Sequence, residues 1–211
     1  MKVSKAQAQA NRANIIETAS TLFRERGYDG IGVADLMAAA GFTHGGFYKH
    51  FGSKADLMAE SAGCGLAQTA ALSNGVDLAT FARLYVSRDH RDARASGCTM
   101  AALGADAARQ PPAVRAEFAA GIESLLAALS SQDTTSDGSD PDLARAQALD
   151  MFAHAVGAIV LSRACPDDSP LADEILAVCR DRILASLPCA KGAASPERLP
   201  TKARRRNRST T

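Results

Sequence analysis

Apolar residues recur at three- and four-residue spacing along most of the chain, and hardly any stretch alternates with the two-residue period of a β-strand. Proline and glycine fall mostly between these periodic runs, where they mark turns. The pattern predicts an all-α fold of about nine helices. The predicted helices cover about residues 9–26, 33–40, 44–50, 54–73, 78–89, 99–108, 111–129, 141–163 and 170–187. A loose polar arm is expected before residue 9, and a mobile loop near residues 130–140.

A short turn joins the second and third predicted helices. Gly41 follows the second helix at a position that suits a C-terminal glycine cap, and Thr43 precedes the third helix as an N-cap residue. A helix, a glycine turn and a short second helix form the outline of a helix-turn-helix. Since a helix of two turns is not stable alone, the third helix must be held by packing. Phe47 and Phe51, four residues apart, supply an inward stripe for that packing.

The third helix also carries aromatic and basic side chains without an acidic one, which suits contact with DNA. When a recognition helix enters the major groove, its first residues face the base edges. Here those residues are Thr43 and His44, followed by two glycines that cost roughly 1 kcal/mol each relative to alanine. Such glycines permit close approach of the backbone to another surface.

Tyr48, Lys49 and His50 offer donors suited to phosphate oxygens, and Lys54 adds a cation in the first turn of the next helix. The alternative is that the aromatic residues are only the core of a small bundle and that the glycines mark a bend.

Residues 9–60 resemble the DNA-binding domain of the TetR family of transcriptional repressors. The run from Ala40 to Leu57 reads A-G-F-T-x-G-x-F-Y-x-H-F-x-S-K-x-x-L, and Leu22 to Tyr28 reads L-F-x-x-x-G-Y. The resemblance implies that the second and third helices form the helix-turn-helix. It also implies an all-α C-terminal domain that dimerises through its last two long helices and houses an inducer pocket. The DNA-binding candidates are Gly32, Val33, Thr43, His44, Gly45, Phe47, Tyr48, Lys49, His50 and Lys54.

The chain departs from the family pattern at two of these positions. The second helix opens at Gly32 where Ser or Thr is usual, so a phosphate-contacting hydroxyl is missing. His44 stands at the start of the recognition helix, where a basic or small polar residue is usual, and this leaves the base preference open.

Charge divides the chain into three segments. Residues 1–54 hold seven Lys/Arg against four Asp/Glu, residues 55–187 hold ten against eighteen, and residues 188–211 hold seven against one. The basic ends suit a polyanion and the acidic middle does not. Together with the resemblance, this division predicts a DNA-binding domain over 1–54, a helical ligand-binding and dimerisation domain over 55–187, and a disordered basic tail over 188–211. That tail either adds salt-sensitive attraction to DNA or only keeps the chain soluble.

Apolar positions in the last two helices fall on more than one face, which is more than one domain core needs. Ala153 and Gly157 form a seam of small residues that would let another helix approach closely. A four-helix interface between two subunits explains both features. A two-fold dimer presents two recognition helices, which predicts a palindromic operator.

The ligand and any trigger are less constrained by the sequence. The pocket candidates are Phe81, Tyr85, Cys98, Phe118, Phe152 and His154. Cys98 lies near several arginines and at a predicted helix N-terminus, two features that favour the thiolate of an oxidant or electrophile sensor. The alternative is a small buried residue at a helix start. His154, on an apolar face, reads more readily as a core histidine than as a ligand contact.

Other function classes find little support. The five cysteines are scattered and none forms a C-x-x-C pair, which favours a reducing, cytoplasmic setting over disulfides or zinc. No signal peptide, membrane span, enzyme signature, metal site or cofactor motif is present in the pattern, so we expect neither an enzyme nor a cofactor or metal. The sequence thus predicts a dimeric, small-molecule-responsive repressor that binds double-stranded DNA. The alternative is a helical interaction protein or an architectural DNA-binding protein without sequence specificity.

Overall fold

The computed structural model describes residues 4–130 and 140–187, and the fold over these residues is all-α, as the periodicity predicts. The described part contains nine α-helices and one 3-10 helix, η1. Their bounds are α1 Lys5–Arg26, α2 Val33–Ala39, η1 His44–Lys49, α3 Lys54–Ser73, α4 Leu78–Tyr85, α5 Arg88–Asp92, α6 Thr99–Ala107, α7 Pro112–Ser130, α8 Pro141–Ala164 and α9 Pro170–Ser186. The predicted basic tail and most of the predicted loop near 130–140 lie outside the described residues. No helix within the described ranges is long and apolar enough to cross a membrane.

Two sequence-based boundaries are wrong. Helix α1 begins at Lys5 and not near residue 9, because the Ser4 hydroxyl accepts a hydrogen bond from the Gln7 backbone N–H at 3.1 Å and caps the helix. The predicted helix over 78–89 is two helices. Val86 leaves helical geometry at φ −91° and ψ 64°, and Ser87 then caps the short helix α5.

Two apolar clusters form the core. The first joins α1, α2, η1 and α3 to α6 and the start of α7, and extends from Ile15 to Phe118. The second joins α4 and the end of α7 to α8 and α9. Because α6 and α7 contribute to both clusters, the N-terminal helices share a continuous core with the helices that follow them.

Helices α3 and α7 pack closely along their lengths. A β-carbon at Gly121 of α7 would lie 2.6 Å from the Leu66 Cβ and Cδ1 atoms of α3. A β-carbon at Gly63 would lie 2.6 Å from a Glu117 carboxylate oxygen. The small residues at these positions therefore set how near the two helices can come.

Two buried arginines connect helices that are distant in sequence. Arg24 of α1 donates hydrogen bonds to the Ala95 carbonyl at 2.8 Å and to the Thr99 hydroxyl at 3.4 Å, which ties α1 to the start of α6. Arg91 of α5 is 2% exposed and donates to the Ser162 carbonyl and hydroxyl at the end of α8. The Ser162 hydroxyl in turn donates to the Ala172 carbonyl of α9 at 2.9 Å. These bonds fix α5, α8 and α9 together at one end of the bundle.

Candidate nucleic-acid interface and ligand cavity

A glycine turn places η1 across the end of α2. Gly41 adopts φ +84°, the left-handed region that favours glycine, and its N–H donates to the Ala38 carbonyl at 3.0 Å. The Phe42 N–H donates to the Met37 carbonyl at 2.8 Å, so the last carbonyls of α2 are satisfied within the turn. Thr43 precedes η1 in extended conformation, but its side chain makes no capping hydrogen bond. Thr43 therefore occupies the predicted N-cap position, but its side chain does not cap the helix.

The inner side of η1 is apolar and buried. Phe47 is 1% exposed and its ring centroid lies 5.5 Å from that of Phe51, which is also buried. Both belong to the first core cluster with Phe23, Leu36 and Met37. The prediction that packing fixes this short helix is confirmed. The Phe47 side chain, a DNA-binding candidate, lies in this core and not on the outer surface.

The outer side of η1 is exposed and carries no acidic residue. Thr43, His44, Gly45, Tyr48 and Lys49 are all exposed. Tyr48 is 68% exposed, and its ring lies edge-on to the His44 ring with centroids 6.3 Å apart. The Tyr48 hydroxyl, the Lys49 ammonium and the His44 imidazole therefore offer hydrogen-bond donors to an anionic partner.

None of the described residues requires a glycine at position 45. Its φ is not positive, and a β-carbon built on it would meet nothing within 4 Å. Alanine would fit and would favour helix formation, so the protein's own packing does not explain the glycine. Close approach by an external surface would explain it.

The remaining candidates lie around this face with different degrees of exposure. Gly32 is exposed at the start of α2, whereas Val33 and His50 are half-buried. The Lys54 ammonium points into the domain, where it donates to the Tyr28 carbonyl at 2.5 Å and the Ile31 carbonyl at 2.8 Å. Two of its three N–H groups thus hold the connection between α1 and α2, which is a structural task that its position in the sequence did not indicate.

A second candidate site is a cavity of about 220 Å³ in the helical region that follows the helix-turn-helix. It contains three of the predicted pocket residues, Phe81, Tyr85 and Cys98. The remaining lining residues are Thr69, Leu72, Ser73, Val76, Leu84, His90, Ser96 and Gly97, none of them an acid, lysine or arginine. The Tyr85 hydroxyl is buried and has no oxygen or nitrogen hydrogen-bond partner within the described structure, and the Cys98 thiol lies beside it. Burial, together with the nearby Cys98, holds its pKa well above the ordinary value, so the phenol is neutral.

The other three pocket candidates lie elsewhere. Phe118 belongs to the first core cluster, whereas Phe81, Tyr85 and Cys98 belong to the second. Phe152 packs against Tyr85 with ring centroids 6.1 Å apart and supports the cavity without lining it. His154 is exposed on α8, so the expectation of a core histidine is wrong. The helical period places it beside the exposed apolar residues of that helix.

His90 is the cavity residue that the sequence did not single out. Its Nδ1 lies 2.7 Å from the Tyr85 carbonyl and its Nε2 accepts the Cys98 backbone N–H at 3.1 Å. Nδ1 must then carry the proton, so the ring is neutral and links α4 to the start of α6. Burial, with a smaller contribution from Arg163, lowers the pKa of His90. Only the fold reveals this role, because no sequence motif marks it.

Known proteins match both the motif and the fold. Residues 15–61 match the family model described as bacterial regulatory proteins of the tetR family. A helix-turn-helix transcriptional regulator of Mycobacterium tuberculosis is 28% identical over 194 residues, which cover 85% of this chain and 97% of that one.

Solved structures share the fold at lower identity. A TetR family regulator from Agrobacterium tumefaciens superposes with a TM-score of 0.64 at 24% identity, covering 83% of this chain and 98% of that one. AibR, solved in complex with isovaleryl coenzyme A and operator DNA, superposes with a TM-score of 0.52 at 18% identity, covering 82% and 98%. The family-model match at residues 15–61 and the similarity to a helix-turn-helix regulator over most of the chain, on an all-α fold, support a TetR-family transcriptional regulator with a DNA-binding helix-turn-helix.

Proposed function

We propose that this regulator is a homodimeric repressor, and that a small molecule bound in the helical region after the helix-turn-helix releases it from a palindromic operator. The observation that carries the proposal is the exposed outer face of η1, with Tyr48 and Lys49 open to water and a glycine at 45 that none of the described residues requires. A helix with these side chains can enter a major groove, with Thr43 and His44 toward the base edges and the others toward phosphates.

The dimer would form through α8 and α9. Large apolar side chains stay exposed on both helices: Leu149, Val160 and Leu161 on α8, and Leu171 and Val178 on α9. Burying one such side chain stabilises an assembly by roughly 1.5–3 kcal/mol. A β-carbon at Gly157 would meet nothing within 4 Å, which leaves room for a partner helix.

The inducer site would be the cavity around Tyr85. Since its lining holds no charged side chain and its histidine is neutral, we infer a small uncharged ligand. One oxygen of that ligand would accept a hydrogen bond from the Tyr85 hydroxyl, which has no oxygen or nitrogen partner among the described residues. AibR, which shares the fold, was solved with both an acyl coenzyme A and operator DNA, which supports control of DNA binding by a small molecule in this chain too.

A signal could travel from the cavity to η1 through the shared core. We retain residues 1–54 as the DNA-binding domain and 55–187 as the ligand-binding and dimerisation domain. Helix α6 begins at the cavity, and its residues Leu103 and Ala107 pack in the same cluster as Phe47. Movement of α6 on ligand binding would therefore change the packing that holds the recognition helix η1 in place.

A gel-shift experiment with the intergenic DNA upstream of the gene tests this function. The repressor proposal predicts sharp binding that survives an excess of unrelated duplex, with two half-sites protected about one helical turn apart. Uniform binding to any duplex would instead support an architectural protein. In parallel, analytical ultracentrifugation should show a dimer for the wild type and a monomer for Leu161→Glu.

Cys98 offers a second route for the signal because it lines the same cavity and is buried at the N-terminus of α6. An electrophilic ligand could alkylate its thiol. Release of operator DNA by electrophiles or oxidants should then be lost in Cys98→Ser. If that variant released DNA as the wild type does, the trigger would be non-covalent binding alone.

A further inference from the structure

Four arginines border a cleft between the end of α1 and the helices α6 and α8. Arg24 and Arg26 come from α1, Arg94 from the connection before α6, and Arg163 from α8. The cleft has a volume of about 380 Å³. Its one acidic lining residue is Glu25. This cleft is separate from the cavity around Tyr85 and from the outer face of η1.

Within the described residues, three of these arginines have no carboxylate partner. Arg24 is buried and donates its hydrogen bonds to uncharged oxygens of Ser20, Ala95 and Thr99. Arg94 takes part in none of the ion pairs.

Arg163 donates to the Arg91 and His90 carbonyls, and its Nη1 is buried with no hydrogen-bond partner among the described atoms. Only Arg26 reaches a carboxylate, that of Glu25 at 3.7 Å, and both of those side chains are about half exposed. The cleft therefore concentrates positive charge that the protein itself leaves largely unneutralised.

Leaving these guanidinium groups together is unfavourable. Burial lowers the pKa of Arg24, and burial together with the charge of Arg94 lowers the pKa of Arg163. Both shifts mean that the charged form is less favourable here than in water. An anion between the arginines would remove the repulsion and accept the hydrogen bond that Arg163 Nη1 does not make.

We propose that this cleft binds a small molecule carrying a phosphate group. Guanidinium groups from three separate segments can surround a tetrahedral dianion, which a single carboxylate would neutralise less completely. Ala101, Ala102 and Val160 form an apolar side of the cleft that suits an organic portion of the ligand. Because the site lies between α1 and α8, its occupancy would fix the N-terminal helices relative to the proposed dimerisation helices.

Thermal unfolding of the full chain with inorganic phosphate as the probe tests the site, and it requires no operator or inducer. We expect about 50 mM phosphate to raise the unfolding midpoint by about 3 °C over sodium chloride at matched ionic strength. Arg94→Gln should reduce that rise to below about 1 °C. Arg94 suits this test because its side chain makes no hydrogen bond in the described structure. Its substitution should therefore leave the stability of the fold unchanged.

Arg83→Gln, which removes an exposed arginine of α4 away from the cleft, is the matched control and should keep the full rise. Acetate at matched ionic strength should give a smaller rise than phosphate, and an equal rise would overturn the phosphate class. An equal phosphate effect in wild type and Arg94→Gln, or none beyond chloride, would overturn the site itself. The proposed repressor function would be untouched by that outcome, since it is measured on DNA.

Discussion

Replacing Arg91 by methionine should destabilise the fold by about 3 kcal/mol. Methionine fills much of the same volume but donates no hydrogen bond. The guanidinium donates to the Ser162 carbonyl at 3.1 and 3.3 Å, the Ser162 hydroxyl at 3.0 Å and the Cys165 carbonyl at 3.2 Å. It also pairs with Asp92 at 2.6 Å and Asp167 at 2.8 Å.

The size of this loss of stability depends on the acceptor groups that lose a hydrogen bond from Arg91. The Cys165 carbonyl loses its side-chain donor, which costs about 1–3 kcal/mol if no water replaces it. The Ser162 carbonyl keeps the Cys165 N–H at 3.2 Å and so loses less. Asp92 and Asp167 are half or more exposed, so each pair contributes at most about 1 kcal/mol. Removing the desolvation of the guanidinium offsets part of the total.

Urea unfolding followed by far-UV circular dichroism, at one fixed protein concentration, measures the effect. The midpoint of Arg91→Met should fall by about 1 M relative to the wild type. Arg88→Met is the matched control, because it removes an arginine of the same helix whose ion pairs are open to water, and its midpoint should stay near the wild-type value. If the Arg91 variant lay within about 1 kcal/mol of the wild type, the buried hydrogen bonds would merely balance the desolvation of the charge.

Three further substitutions test other parts of the account by the same unfolding assay. Gly121→Ala should cost about 1–3 kcal/mol, since its β-carbon would lie 2.6 Å from Leu66; an unchanged midpoint would mean that the two helices separate easily. Phe47→Ala should cost about 3–5 kcal/mol, and a loss below 1 kcal/mol would contradict its burial in the core. The pKa of His90 is lower in the folded state than in the unfolded state, so the unfolded chain takes up a proton at His90 at a higher pH. The stability of the fold should therefore decrease as the pH drops below about 6.5. His90→Gln should flatten that fall between pH 7 and 5, and an identical slope would exclude His90 as its source.

The sequence predicted the helical fold and the packing of η1 because both depend on local spacing. The four-residue interval between Phe47 and Phe51 and the glycine at 41 are visible in the chain itself. The break between α4 and α5 was missed because Val86 continues the apolar spacing of α4, and only the backbone of Val86 and the capping by Ser87 separate the two helices.

Contacts between distant segments were not predictable. Lys54 was expected to face phosphates, but its reach to the Tyr28 and Ile31 carbonyls depends on how α3 crosses the preceding connection. The exposure of His154 and the separation of Phe118 from the cavity likewise depend on which face of each helix meets which cluster. The helical spacing of apolar residues cannot show which face of a helix packs against which cluster when apolar residues occupy more than one face.

The most direct test of the central claim measures DNA binding by a Tyr48→Ala, Lys49→Ala double variant. Fluorescence anisotropy on the operator fragment, at fixed salt and with unrelated competitor duplex, gives the Kd. Both side chains are exposed, so the variant should keep wild-type stability within about 1 kcal/mol. The account predicts a Kd at least about 10-fold weaker than that of the wild type, with a shallower salt dependence. Arg83→Ala should bind as the wild type does, and a double variant that bound within twofold of the wild type would contradict the assignment of η1 as the DNA-contacting helix.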